Sequence, residues 1–283
     1  MHRLALPNKG RLHDDLSTLL DDAGLPLHKH GERALRAPFG PDAEAIFVRA
    51  QDVPELVADG VADAGITGAD LVAEAGRPLC ELLDLRLGAC RLVVACRDDL
   101  GVRSPADLRG RTRVATTFPH SAAAWFAAAG LDVDIVPLSG ACEIAPHLGL
   151  ADVVVDLVAT GSTLRTNGLR ELATIAASTA RLYAREPAGD DGWLAELTLA
   201  LDSVVRARGQ RYLMANVPKD RIAHVCERLP GLNGPTLGEV VGGGRFVAMH
   251  AVVAATAVPS TIAALRELGC QGILVTRIER LLP

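Results

Sequence analysis

The sequence predicts an α/β protein in which two similar lobes precede a smaller C-terminal unit. Short apolar runs alternate with amphipathic helical patterns along most of the chain, which is typical of strands that alternate with helices. A Gly-x-Ala-Asp motif, followed by a strand and Thr-Gly, occurs twice. With 283 residues, of which 49% are apolar, the chain is long enough to form two or three domains with their own cores.

The first part of the chain predicts three strands, each followed by a helix: strands at residues 3–6, 45–48 and 64–66, and helices at 12–20, 53–58 and 69–74. A second series begins at Arg91. It predicts strands at 91–96, 113–116, 134–137 and 153–156, and helices at 121–129 and 142–148, with Ser104 as a further helix cap. Residues 171–185 are predicted to be a connecting region, and residues 191–208 a long helix.

The C-terminal part has a different order of elements. It predicts strands at residues 212–217, 235–240, 245–253 and 272–278, and helices at 219–229 and 259–268. This βαββαβ order predicts a ferredoxin-like unit. The glycine-rich segment 241–246 lies between two of these strands, so we expect a hairpin connection there and not a nucleotide-binding loop.

The repeated motif covers residues 59–72 and 148–164. Coincidence is one explanation, because turn chemistry recurs in any α/β fold. The other is that two similar lobes face a cleft, where ligand sites form beyond the carboxyl ends of strands. We therefore expect lobe I at residues 1–90 with 180–210, lobe II at 91–179, and a third domain at 211–283.

Charge and cysteine usage exclude several classes of protein. The net charge is -5 and no basic stripe is present, which argues against a nucleic-acid partner. The start is too short for a signal-peptide core and no apolar run reaches the ~18 residues of a membrane span, so we expect a cytoplasmic protein. No CxxC pair occurs, and His28 and His30 are expected to be exposed loop residues, so we predict free thiols and no structural metal.

The segment VVVDLVATGSTL, residues 153–164, predicts a phosphate site. An apolar strand ends in Asp156, and a loop with three hydroxyl side chains then leads into a helix. The hydroxyls of Thr160, Ser162 and Thr163 can converge with backbone N–H groups on one anion, and Asp156 can accept hydrogen bonds from ribose hydroxyls. The alternative is a strand end with a capping threonine and no ligand. GxxxxGK[ST] is absent, which disfavours a P-loop nucleotidase.

A longer pattern surrounds this loop: Glu143, Gly149, Ala151, Val154, Asp156, Leu157, Thr160, Gly161, Thr163 and Leu164. It resembles the signature of the ATP phosphoribosyltransferase family, the first enzyme of histidine biosynthesis. PNKGRL (7–12), GITGADLV (65–72), YLM (212–214) and PGLNGPTL (230–237) are similar to the long form of that family. The resemblance therefore covers nearly the whole chain.

The resemblance implies a two-lobed, type II periplasmic-binding-protein-like catalytic body with a C-terminal ferredoxin-like regulatory domain. It implies that N1 of the ATP adenine displaces pyrophosphate from C1 of phosphoribosyl pyrophosphate, with Mg²⁺ carried by the substrate phosphates and no metal site of the protein's own. Orientation and electrostatic stabilisation should dominate such a displacement. L-histidine is implied as feedback inhibitor, and a homo-oligomer, dimer to hexamer, as the assembly.

The resemblance also assigns site residues. The implied ATP-binding residues are Lys9, Gly10, Arg11, Arg49, Asp70 and Leu71. The implied phosphoribosyl pyrophosphate-binding residues are Asp156, Ala159, Thr160, Gly161, Ser162, Thr163 and Leu164. The implied catalytic residues are Lys9, Arg11, Glu143 and Asp156, with Glu143 facing either the ribose or the adenine amino group. Segment 115–122 is expected to reach the same cleft, with Phe118 where a tyrosine is expected.

Each of these residues also has a structural alternative. Arg11 and Arg49 alone would be solvated surface cations, and Glu143 a solvated helix carboxylate. Asp70 alone would be a first-turn residue favoured by the helix dipole. Lys9 draws attention because the chain has only three lysines among 29 basic residues.

PGLNGPTL resembles the family's histidine-binding segment. The implied histidine-binding residues are Asn216, Leu232, Gly234, Thr236 and Gly272. Asn216 offers a neutral hydrogen bond where an aspartate would pair with the ligand's charge, so we expect weaker histidine binding. The alternative is that this domain serves only oligomer contacts.

Two other functions are compatible with parts of this sequence pattern. A solute-binding protein would use the same two-lobed architecture, although no export signal is predicted and a sensor does not require the phosphate loop. A purine or pyrimidine phosphoribosyltransferase would share the TGxT loop. Offering one phosphoribosyl acceptor at a time distinguishes these functions.

Overall fold

The computed structural model describes residues 1–28, 31, 34–108, 111–185, 192–229, 231–232, 234–242 and 244–282. The chain divides into two compact units, Met1–Thr198 and Leu199–Pro283. Within the described residues, no helix is both long and apolar enough to cross a membrane. All six cysteines are free, and three of them are buried. Of the predicted loop pair, His28 is exposed and His30 lies outside the described residues.

The first unit is built on one mixed sheet. Its strands are β1 (His2–Pro7), β2 (Arg36–Pro38), β3 (Ala43–Val48), β4 (Ala64–Gly68), β5 (Leu79–Arg97), β6 (Thr112–Thr116), β7 (Val133–Pro137), β8 (Val153–Val158) and β9 (Leu169–Arg185). The order across this nine-stranded sheet is β2-β3-β1-β4-β9-β5-β8-β6-β7. The predicted α/β class is therefore confirmed.

Helices connect most of the parallel strands. They are α1 (Arg11–Asp22), α2 (Val53–Ala58), α3 (Ala69–Ala75), α4 (Pro119–Ala128) and α5 (Ser162–Thr166). A longer helix, α6 (Gly192–Ala207), runs across the boundary between the two units. Its predicted first residue, Asp191, lies outside the described residues. The three predicted strand–helix pairs of the first part are confirmed, whereas the short edge strand β2 was not predicted.

The largest error in the predicted elements concerns the middle of the sheet. Residues 171–185 are not a connecting region, because strand β9 occupies them and lies between β4 and β5. Likewise β5 begins at Leu79 and not at Arg91. Residues 171–185 lack a clear alternation of large apolar and polar side chains, so the backbone partners on either side determine their strand conformation. Residues 83–87 do alternate leucines with charged side chains, a strand pattern that the prediction missed.

The pairing of β5 with β9 is irregular at its centre. Register shifts occur between Glu81 and Cys90, and Arg86 has a positive φ of 54°. Before these shifts Leu79 pairs with Arg185, and after them Arg97 pairs with Leu169. The two strands therefore run through both halves of the sheet and are bent where the halves meet.

Strand β8 is longer than predicted and pairs with its two neighbours in opposite directions. It is parallel to β6 but antiparallel to β5, and it continues past Asp156 to Val158 because Arg91 of β5 pairs with Val158. The predicted helix at 142–148 is only a 3-10 turn, Cys142–Ile144. Pro146 lacks the N–H that a continuing helix would need.

Alternate residues of β5 and β8 face opposite sides of the sheet, as strand geometry requires. Val93 and Val154 pack in a cluster with Leu164 on one side. Val94 and Val153 pack in a cluster with residues of α4 on the other side. Because both faces are covered, these strands have the continuous apolar sequence typical of a buried sheet.

The second unit contains a separate antiparallel sheet. Its elements are β10 (Gln210–Pro218), α7 (Ile222–Arg228), β11 (Thr236–Glu239), β12 (Phe246–Ala254), α8 (Val258–Glu267) and β13 (Gln271–Arg277), with sheet order β11-β12-β10-β13. The predicted ferredoxin-like fold is confirmed. The glycine-rich segment does connect two antiparallel strands, β11 and β12, although its Gly243 lies outside the described residues.

Candidate active site

Three parallel strands of the first lobe end side by side. Pro7 of β1 pairs with Val48 of β3, and the Asn8 N–H donates to the Val48 carbonyl over 2.7 Å. The Thr67 hydroxyl at the end of β4 donates to the Ala50 carbonyl just after β3, also over 2.7 Å. The turns that follow β1, β3 and β4 therefore form one edge of the sheet.

This edge carries the predicted cations. Lys9 and Arg49 are exposed, and the Arg11 side chain is 85% exposed with Asp15 3.9 Å away. Among the ion pairs of the described residues, none involves Lys9 or Arg49. Gly10 precedes α1 with a φ of 86°, which favours glycine. The structure therefore brings together Lys9, Gly10, Arg11 and Arg49, with their charges available to a polyanion.

Asp70 is bound to the central strand β9. It is only 9% exposed, its N–H donates to the Ser178 hydroxyl oxygen over 3.1 Å, and that hydroxyl donates in turn to Asp70 Oδ1. Leu71 packs against the apolar cluster that contains Val94. These contacts hold Asp70, in the first turn of α3, against strand β9.

The loop after β8 presents its hydroxyls together. Thr160 Oγ1 lies 3.0 Å from Ser162 Oγ, and the Ser162 N–H donates to Thr160 Oγ1 over 3.4 Å. Thr160, Ser162 and Thr163 are exposed, whereas Leu164 is 3% exposed and packs in the core. Gly161 immediately precedes α5 and has a φ of 75°. The loop is therefore anchored through Leu164 of α5, and its hydroxyls are open to a ligand.

Two carboxylates lie near the start of this loop. Burial raises the pKa of Asp156, and the nearby Glu143 carboxylate adds to the rise, while the Leu157 N–H, 2.7 Å from Asp156 Oδ1, opposes it. Burial, and then Asp156 and Glu143, raise the pKa of Cys142 to about 11. The structure therefore brings Glu143 and Asp156 close enough to interact. Asp156 lies within β8 and not at its end, because β8 continues to Val158.

A cavity of about 380 Å³ lies along the central strands β5 and β9. Ala159 of the loop lines it, and so does Ser178, the partner of Asp70. Arg91 of β5 and Arg181 of β9 also line this cavity. The strands that join the two lobes therefore form one wall of this cavity. The cavity reaches the loop after β8 at Ala159 and the surroundings of Asp70 at Ser178.

Sequence reasoning missed the residues on these central strands. Arg91 donates to both oxygens of Glu171, over 2.8 and 2.9 Å. Asp84 Oδ1 accepts the Thr179 hydroxyl over 2.9 Å where the strands bend. No motif marked Arg91, because a strand-end arginine is an ordinary feature of a chain with 26 arginines. Only the proximity of Arg91 to Ala159 distinguishes it.

The aromatic side chain of segment 115–122 is buried. Phe118 is 4% exposed and packs in the apolar core. The first free N–H groups of α4, those of His120 and Ser121, donate to the Glu74 carboxylate over 2.8 Å each. In the described part of the chain, no hydrogen bond or ion pair joins Lys9 or Arg49 to the loop after β8.

Three of the predicted histidine-binding residues lie on strands of the second unit, and two lie before β11. Asn216 of β10 and Gly272 of β13 are neighbours, since a Cβ on Gly272 would lie 3.2 Å from Asn216 Nδ2. Thr236 is on β11, where it pairs with His250. Leu232 and Gly234 are exposed before β11, and the adjoining Pro230 and Asn233 lie outside the described residues.

Across the ranges that the structure describes, no group of three or more His, Cys, Asp or Glu side chains is arranged to hold a metal ion. The carboxylates of Asp156 and Glu143 lie near the start of the loop. Such ligands suit Mg²⁺ that remains attached to phosphates and water, because this ion seldom depends on a cage made by protein alone.

Comparison with known proteins gives matches over nearly the whole chain. The ATP phosphoribosyltransferase family model matches residues 49–203, and the model of the HisG C-terminal domain matches residues 207–280. An ATP phosphoribosyltransferase of Gemmatimonas aurantiaca is 57% identical over 292 aligned residues, which cover 100% of both chains. One of Methanopyrus kandleri is 45% identical over 284 residues, again covering 100% of both.

A solved structure is also similar. It is described as the ATP phosphoribosyl transferase (HisG:HisZ) complex from Thermotoga maritima, and its matching chain has a TM-score of 0.62 and 29% sequence identity. The alignment covers 71% of this chain and 99% of that chain. Sequence and fold therefore give the same relatives.

Proposed function

The chain belongs to the ATP phosphoribosyltransferase family, and we propose that it binds its two substrates on either side of the cavity lined by Ala159 and Ser178. The enzyme transfers the 5-phosphoribosyl group of phosphoribosyl pyrophosphate to N1 of ATP. The products are 1-(5-phosphoribosyl)-ATP and pyrophosphate, and the reaction is the first step of histidine biosynthesis. It is a pentosyltransferase reaction.

In this proposal phosphoribosyl pyrophosphate binds to the loop after β8. The neighbouring hydroxyls of Thr160 and Ser162 and the loop N–H groups hold a phosphate, with Gly161 allowing the turn. Asp156 accepts hydrogen bonds from the ribose hydroxyls, and Glu143 lies beside it. Two carboxylates near the ribose also stabilise the positive charge that develops there as pyrophosphate departs.

The ATP is proposed to lie at the edge formed by the turns after β1, β3 and β4. Lys9, Arg11 and Arg49 place three exposed cations there, which suits a triphosphate. Asp70 and Leu71 follow β4 at the same edge, on the side of the cavity. Binding both substrates in one space converts the displacement into an intramolecular step, in which orientation supplies much of the rate.

Mg²⁺ is proposed to arrive with the substrate phosphates. When bound, it neutralises phosphate charge and so favours pyrophosphate as a leaving group. The residues named here act on the sugar and on the phosphates without a metal site built by the protein alone. L-histidine is proposed as a feedback inhibitor that binds the second unit near Asn216 and Gly272, and the active assembly is proposed to be a homo-oligomer.

The cavity lined by Ala159 of the loop and by Ser178, the partner of Asp70, is the observation that supports this arrangement most. The reaction itself is tested by mixing the pure protein with ATP, phosphoribosyl pyrophosphate and Mg²⁺, and identifying the products by mass spectrometry. Phosphoribosyl-ATP and pyrophosphate are expected in equal amounts. Parallel reactions offer one purine or pyrimidine base at a time, and a nucleotide formed only from such a base would contradict the proposal.

A further inference from the structure

One arginine beside the phosphate loop has no role in the scheme above. Arg91 lies on β5, directly opposite Val158 of β8 and Ala177 of β9. Val158 immediately precedes the loop, and Arg91 lines the cavity of about 380 Å³ together with Ala159. The backbone register therefore fixes Arg91 at the start of the loop, on a central strand and not on a mobile surface segment.

The Arg91 guanidinium is held in one orientation but is not saturated. Nη1 donates to Glu171 Oε2 over 2.8 Å and to Thr174 Oγ1 over 3.3 Å, and Nη2 donates to Glu171 Oε1 over 2.9 Å. These contacts use three of the five N–H donors of a guanidinium. The Arg91 side chain remains 41% exposed. Two donors are thus left for a ligand, in a group whose rotamer is already fixed.

Glu171 makes a positive partner necessary at this position. Its Oε1 atom would lie 3.7 Å from a Cβ on Gly161, so it carries a negative charge close to the turn of the phosphate loop. An unpaired carboxylate there would repel a phosphate. The bidentate contact with Arg91 neutralises that charge. The pair therefore has no net negative charge and still has N–H groups that can donate to a ligand.

We propose that Arg91 binds a phosphate group of phosphoribosyl pyrophosphate directly, and that Glu171 acts as a positioning residue that orients the guanidinium. This inference rests on the phosphoribosyl pyrophosphate site proposed above. It adds to that site a cation from the central strands. Arg91 lines the cavity wall between the two lobes, so its contact also orients the substrate towards the cavity.

The test separates direct binding from two other roles, neutralisation of Glu171 and simple bracing of β5 against β9. Affinities for phosphoribosyl pyrophosphate and for ATP are measured by calorimetry on the full-length protein with Mg²⁺. The variants are Arg91→Met, Glu171→Gln and the double variant. Arg97→Met serves as control, because Arg97 lies on the same strand and pairs with exposed Asp99 away from the cavity.

Direct binding predicts that Arg91→Met raises the Kd of phosphoribosyl pyrophosphate about tenfold or more, as expected for a charge-assisted hydrogen bond. The double variant should recover only part of this loss, because removing the Glu171 carboxylate ends its repulsion of the phosphate but does not replace the lost donors. Glu171→Gln alone should weaken binding about threefold, less than Arg91→Met does, because its amide oxygen can still accept from the guanidinium but orients it less firmly. Arg97→Met should stay within about twofold of wild type. The Kd of ATP should not change in any of these variants.

Recovery of full wild-type affinity in the double variant would overturn the proposal in favour of charge neutralisation alone. Equal weakening by Arg91→Met and Glu171→Gln, with ATP binding weakened as well, would overturn it in favour of bracing. Normal binding by Arg91→Met beside a tightly binding wild type would remove Arg91 from the site and leave the proposed function intact. A wild type that does not bind phosphoribosyl pyrophosphate would contradict both.

Discussion

Asp156 holds a charge in a place where charge is unfavourable. Because burial raises its pKa in the folded protein, the folded state binds the proton more tightly than the unfolded chain does. Folding stability therefore falls as the pH rises from the ordinary value of 3.8 through the raised pKa, and it stays reduced above that. Burying the Asp156 carboxylate beside the loop after β8 therefore lowers the free energy of unfolding at neutral pH.

Replacing Asp156 by Asn removes the titration and keeps an oxygen that can accept the Leu157 N–H. We expect a higher free energy of unfolding than wild type at pH 7, a difference that shrinks as the pH falls towards 3.8, and weaker binding of phosphoribosyl pyrophosphate. Urea unfolding at several pH values measures the first effect, and calorimetry the second. Equal stability at every pH would show that burial of Asp156 is not unfavourable.

Lys9 is an exposed point charge in the turn after β1. Lys9→Ala should raise the KM for ATP by about tenfold through loss of a contact to a charged group, with less effect on kcat. Because the side chain is exposed, the difference should diminish at high salt. Lys219→Ala, another exposed lysine, is the control. An ATP titration identical to wild type would make Lys9 a surface residue.

At the scale of elements, helix α3 connects the two lobes. It carries Asp70 at its first turn, and its Glu74 carboxylate accepts the N–H groups of His120 and Ser121 at the start of α4. A carboxylate at a helix N-terminus satisfies donors that the helix itself cannot and interacts favourably with the helix dipole. The position of α3 is therefore linked to the start of α4 in the other lobe.

Glu74→Ala should lower the free energy of unfolding by about 1 kcal/mol, the usual effect of losing a helix cap. Glu74→Gln retains one acceptor and should lose less. Glu196→Ala, an exposed glutamate on α6, should change stability by less than about 0.5 kcal/mol. Chemical denaturation measures all three variants, and a Glu74→Ala protein as stable as the Glu196→Ala protein would show that the cap contributes nothing.

Sequence patterns predicted the elements whose own side chains determine them. The apolar run of β1 and the turn into a helix at Gly161 are local features, and both were predicted correctly. Strand β9 is stabilised by pairing with its neighbours β4 and β5, so its own alanine-rich sequence did not predict a strand. Arg91 was missed for the same reason, since only the register between β5 and β8 brings it to the loop.

At the scale of the whole molecule, the second unit is proposed to respond to histidine. A Cβ at Gly272 would lie 3.2 Å from Asn216 Nδ2, and the φ of 58° at Gly272 also opposes a side chain. Gly272→Ala should therefore weaken histidine inhibition. Gly242→Ala is the matched control, because Gly242 has a φ of 68° but open space where the Cβ would lie. Inhibition curves that are the same for all three proteins would move the histidine site elsewhere.

The change Asn216→Asp tests the same site in the opposite direction. A carboxylate in place of the amide forms a charge-assisted hydrogen bond with an ammonium group, so histidine should inhibit at a concentration about tenfold lower. Full-length variants suit this question better than truncation. The second half of α6 belongs to the second unit, and the Leu281 N–H donates to the Ser203 carbonyl within it. Unchanged sensitivity in Asn216→Asp would contradict the proposed contact.

Binding of phosphoribosyl pyrophosphate to the loop after β8 is tested by calorimetric titration of this ligand into loop variants. Thr163→Val removes one hydroxyl and should raise the Kd about tenfold, whereas Thr166→Val, at another exposed threonine of α5, should leave it unchanged. Gly161→Val should also weaken binding, because its φ is 75° and a Cβ would lie 3.0 Å from Arg165 Nη1. Wild-type affinity in both Thr163→Val and Gly161→Val would contradict the account.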